Sequence, residues 1–154
     1  MAQPDRETVY AALQTLLVAA LGPSPGSATF QTIQRRLLTI TNAVPASAPY
    51  LLQVQATERS ETKKGVPTVH TFTVNLLAYA YFGDGDAVVP DIVLNGLVTA
   101  IENACGPNMA TAFQQLGIPV SSVVINGIIS YFDMAATSGT WSLARVPVEI
   151  VATY

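Results

Sequence analysis

Charge is what this chain has least of. Only 11 % of its 154 residues are Asp, Glu, Lys or Arg, against about 25 % in an average soluble domain, while 50 % are apolar. So little charge solvates a monomer poorly and points to self-assembly or a large partner surface. A lone Cys105 excludes an internal disulfide, so no oxidising compartment is required and synthesis in a cytoplasm is expected. A lone His70, on a different element from Cys105, excludes the paired His and Cys ligands of a zinc-type metal site. Seven basic residues stand against ten acidic ones, a formal charge of −3, which argues against gripping nucleic acid by its phosphates.

Uninterrupted apolar spans are also missing. Thr8 to Gln34 is broken by Gly22, Pro23, Pro25 and Gly26, and Asn103 to Phe132 by Gly106, Pro107, Gly117 and Pro119, so neither reads as a membrane span. AALQTLLVAALGPSPGSA has the outline of a signal peptide, but Pro4-Asp5-Arg6-Glu7 replaces a basic leader, and it is read as an ordinary first helix.

Catalytic motifs are absent in the same way. There is no GxxxxGK[ST] and no GxGxxG between a strand and a helix. A Ser-His-acid arrangement could be assembled only through His70. Gly83-Asp84-Gly85-Asp86 begins like a calcium loop, yet Val88 and Val89 stand where further oxygen ligands are required, so a turn is the better reading. The expectation is a non-enzymatic protein with no cofactor and no metal.

What is present is organised around the middle of the chain. From Val69 to Asn75 the residues alternate, His70, Phe72 and Val74 against Thr71, Thr73 and Asn75, the period of a half-buried strand. From Leu76 to Phe82 nearly every residue is apolar, so that half should be covered on both faces. A helix follows, opened by Pro90-Asp91, striped by Leu94, Leu97, Val98, Ile101 and Cys105, and stopped by Gly106-Pro107.

Before this centre, a helix from about Asp5 to Leu21 presents Val9, Leu13, Leu16, Leu17 and Ala20. ATFQTIQRRLLTI reads as a strand, and YLLQVQATE as a second one that leads through RSETKKGVP into the central strand as a long hairpin with its tip between about Glu58 and Pro67. After the centre come a short helix over Asn108 to Leu116, a strand interrupted at Gly127 by a bulge or close backbone approach, and a last strand whose Pro147 calls for an edge or a bulge. The fold class is therefore α+β: one domain over 1–154, with an antiparallel-dominated sheet and a long hairpin, packed by two main helices.

Five of the seventeen charged residues, Glu58, Arg59, Glu61, Lys63 and Lys64, sit at the hairpin tip, which reads equally as a solvated loop or as a partner-contacting arm. If the first two strands pair, Arg35 and Arg36 could join Arg59, Lys63 and Lys64 in one positive surface. That surface suits an acidic neighbouring subunit, and scattered solvated charge is the competing reading.

Taken together, RETVYAALQTLL, FQTIQRRL, PYLLQV, TVNLLAYAYF, LNGLVTAIENA, QQLGIPVSSVVINGII and VPVEIVA resemble, over nearly the whole chain, the tail terminator (tail completion) proteins of long-tailed bacteriophages. The resemblance implies an α+β virion subunit, assembled in the host cytoplasm, that forms a homo-hexameric ring on the head-proximal end of the tail tube. Such a ring stops tube polymerisation and offers a joining surface to the neck and head-completion proteins, while DNA passes through its centre without specific binding. It carries no catalytic residues; Arg35, Arg36, Arg59, Lys63 and Lys64 are the interface candidates. Two alternatives remain open, another neck or connector ring protein and a small-ligand-binding α+β domain with a deep pocket.

Overall fold

A computed structural model describes residues 5–23, 29–83, 90–106, 121–136 and 139–153. The chain folds into an α+β structure with helices α1 (Arg6–Leu21) and α2 (Pro90–Cys105) and six strands: β1 (Thr32–Gln34), β2 (Tyr50–Lys63), β3 (Val66–Gly83), β4 (Ser121–Ile125), β5 (Ser130–Ala136) and β6 (Gly139–Thr153). They form one mixed sheet in the order β1-β2-β3-β6-β4, with β5 also on β6. Only the β1–β2 pair is parallel.

Alternation along β3 decides the layers. Phe72, Val74, Leu76, Ala78 and Ala80 point to the side where α1 and α2 lie, and with Leu13, Leu17, Leu94, Ile101, Val123, Val148 and Ile150 they make the main core. Fully burying a Leu or Phe of this kind stabilises by roughly 1.5–3 kcal/mol. On the reverse face Leu52, Tyr79 and Trp141 pack with Leu38 and Ala43, under two short 3₁₀ turns at Ile40–Asn42 and Pro45–Ser47. The uniformly apolar half of β3 is thus covered on both faces, as expected. Further along that reverse face Thr71, Thr73 and Asn75, with Glu149, Val151 and Thr153 beside them, stay partly exposed.

α1 begins where Asp5 accepts from the Thr8 backbone N–H and hydroxyl, each at 2.8 Å, a side-chain cap that satisfies an end donor. Its buried stripe is Val9, Tyr10, Leu13, Leu17 and Leu21. Ala20 is exposed and Leu16 only half-buried, because Tyr10 turns inward to meet the Phe72 ring edge-on at 5.4 Å.

Four expectations are corrected. The first strand shrinks to three residues, since Arg35 leaves it to grip Glu7 on α1. The stretch RSETKKGVP is ladder almost throughout, and the turn is only Lys64-Gly65, with Gly65 at φ +78°. Strand β3 opens at Val66 rather than at Val69, and His70 is buried within it. Strand β6 is interior, between β3 and the β4–β5 pair. Pro147 is tolerated there because its carbonyl, accepting from Asn126 N–H at 3.2 Å, places its missing donor on the side where the neighbour breaks. Residues 126–129 span the gap opposite Val146 and Pro147 alone, a bulge centred on Gly127. The Gly-Asp turn at Asp84 and Asp86, the short helix over Asn108 to Leu116 and part of the turn before Gly139 lie outside the described residues.

Candidate functional site

The most prominent exposed feature is the β2–β3 hairpin. Its ladder runs from Tyr50 opposite Tyr79 to Lys63 opposite Val66, with irregularities at Gln55/Thr57 and Glu61/Lys63. The β3–β6 ladder stops at Val69 opposite Thr153, so the tip projects beyond it as two strands. Every β2 residue from Gln55 to Lys63 is exposed. Such a ribbon needs no apolar face because its partner strand satisfies the backbone, and its side chains are free to be polar.

The root of this arm is tied to α1. Arg6 Nε donates to Glu58 Oε2 at 2.6 Å, and Glu58 Oε1 lies 3.3 Å from His70 Nδ1, which also meets Ser60 Oγ at 2.9 Å. The Arg6 hydrogen bond, helped by His70, holds the Glu58 carboxyl below its ordinary value against the opposing effect of burial. His70 stacks on Phe72 at 6.0 Å. Ser60, His70 and Glu58 are the three residue types of a nucleophilic triad, but both partners meet the same ring nitrogen. A relay requires one on each, so this cluster is an anchor for the hairpin.

The predicted interface residues fall into two separate groups. Arg35 and Arg36 follow Gln34, which pairs with Leu52, while Arg59, Lys63 and Lys64 lie seven to twelve residues further along β2 and its turn, about 23–40 Å at strand rise. One continuous positive surface is not formed. Arg35 is held by both oxygens of Glu7, at 2.5 and 3.1 Å; this pairing holds Arg35 above and Glu7 below their ordinary values. Arg59 pairs with Glu61 two residues on. Arg36, Lys63 and Lys64 make no ion pair among the described residues.

Elsewhere the described residues hold no group of three or more His, Cys, Asp or Glu able to share a metal ion. Cys105 is fully buried, and burial pushes its thiol up to about 12, which disables it as a nucleophile near neutrality. A recess of about 340 Å³ between the ends of the helices is lined by Ala20, Leu21, Thr29, Ala100, Asn103 and Ala104; it is wide open to solvent, unlike the enclosed clefts that bury a small ligand. No described helix is long and apolar enough to cross a membrane.

Sequence reading placed the charged tip but not Arg6, Glu58 and Ser60 as one cluster around His70. The signal available was the β2–β3 register, which sets Ser60 opposite His70 and Glu58 opposite Phe72. No family model matches this chain, and no curated protein matches it in sequence.

Proposed function

We propose that this protein is a structural subunit of a bacteriophage virion: a homo-hexameric ring at the head-proximal end of the tail tube that ends tube polymerisation and joins the neck. The observation that carries the reading is the β2–β3 hairpin, a rigid two-stranded arm anchored at its root by Arg6, Glu58 and His70 and bare at its tip. An arm of this kind reaches a neighbouring subunit without unfolding the body that carries it. The low charge and high apolar content support burial between neighbours. The acidic balance supports a channel through which DNA slides.

Pro147 does not mark an edge; among the described residues the sheet ends at β1 on one side and at the interrupted β4–β5 strand on the other. These lie at opposite ends of the strand order, as two unlike surfaces of a head-to-tail ring would. In the ring one face docks on the tube end, and the other cannot accept a further tube ring; that asymmetry is what ends growth. Lys63, Lys64 and Arg36, which make no ion pair among the described residues, are basic residues available to acidic neighbours.

Purified protein added to polymerising tail tubes tests the reading. A terminator binds at one end only and halts growth; binding to filled heads without binding to tubes would indicate another neck ring.

A further inference from the structure

The exposed edge of β2 carries its own complement. Strand β1 pairs only with Tyr50–Leu52, and among the described residues no strand lies on that side of β2 from Gln53 to Lys63. An open edge of this length templates pairing with another chain unless something prevents it. Charge is the usual deterrent, and here the pairing centred on Ser60 sets opposite charges face to face.

We propose that a second copy of this chain pairs antiparallel with β2 across a two-fold axis normal to the sheet at Ser60. In that register Arg59 stands opposite Glu61 of the second copy and Glu61 opposite its Arg59. Thr57 faces Lys63 and Glu58 faces Thr62. All these pairs keep to one face, as antiparallel neighbours must.

Moving by one same-face step in one direction sets Arg59 against Arg59, and in the other Glu61 against Glu61, and like charges directly opposite are destabilising. Within one chain Arg59 and Glu61 already form an ion pair on the reverse face, their side chains 76 % and 46 % exposed. The second copy closes this pair into a square of alternating charge, with no charge buried alone. On the helix side Glu58 is held by Arg6 and His70 and meets only the neutral Thr62.

This contact joins like surfaces, whereas a ring joins unlike ones, so it does not rest on the ring reading. Sedimentation of the full chain tests it with Arg59→Glu, Glu61→Arg and their equimolar mixture, circular dichroism confirming that each is folded. Each variant alone sets like charges opposite and should show half the mass of the wild type. Mixing restores opposite charges at both positions, and the wild-type mass should return. Single variants as heavy as the wild type, or a mixture that stays at the variant mass, would overturn the proposal. The two-fold ratio is read on whatever assembly the ring contacts provide.

Discussion

Gly127 lies against Pro147 so closely that a β-carbon on the glycine would sit 2.7 Å from the proline Cγ and 3.2 Å from its Cβ. The glycine also has φ +135°, where an L side chain is strained. The two residues solve one problem together: the proline removes a donor from an interior strand, and the glycine lets the neighbouring strand break beside it. Gly127→Ala should therefore destabilise by about 1–3 kcal/mol. Gly96→Ala, on an exposed helical position with nothing within 4 Å, should stabilise by about 0.5–1 kcal/mol. Urea midpoints of the two variants should move in opposite directions.

The sheet separates two cores, and Trp141 reports on only one of them. Leu52→Ala, beside it in the smaller cluster, should cost about 2–5 kcal/mol and shift the tryptophan emission to the red. Phe72→Ala, in the cluster under the helices, should cost about 3–5 kcal/mol with a smaller change in the emission of the folded state.

Glu58 gives the hairpin anchor a pH dependence. Its carboxyl is held below the ordinary 4.5 by Arg6, so its contribution is fully present above that value and is lost as pH falls through the lowered one. Asp5, capped onto Thr8, and Glu7, paired with Arg35, are lowered too and add slope in the same direction. Glu58→Gln should be less stable than the wild type at pH 7, by under about 1 kcal/mol for a pair this exposed. The gap should close on acidification. A constant gap from pH 7 to pH 2 would remove the ion pair from the account.

Cys105 should be silent in the folded protein. Moving its thiol from 9.0 to about 12 lowers the thiolate fraction at pH 8 on the order of a thousandfold, and burial denies reagents access. Alkylation at pH 8 should be slow in buffer and rapid in denaturant; fast labelling of the native state would show that α2 does not hold the packing described.

The strongly patterned elements were legible. Val69 to Phe82 showed both its alternation and its two-sided half, because each position's burial follows from the residue type there. The stripe of α2, from Leu94 to Cys105, was legible for the same reason. The long hairpin was legible too, but not how far its ladder runs, because Glu58 to Lys63 is polar on both faces and its strand character comes from its partner β3. Nor was the loss of Arg35 from the first strand, since its bond to Glu7 joins residues 28 apart. Pro147 gave a true local signal, a missing donor, but the sequence could not say that the neighbour would be the strand to yield. At the candidate site the charged residues were visible; that Arg35 and Arg36 stand far along β2 from Arg59 and Lys63 depended on a short parallel pairing.

The ring is the central claim, and the mass of the purified protein by light scattering, with negative-stain images of the same sample, tests it most directly. The account predicts six-fold rings with a central hole, either free in solution or formed when purified tail tubes are added. A protein that stays monomeric at high concentration and leaves tail tubes unbound would contradict it.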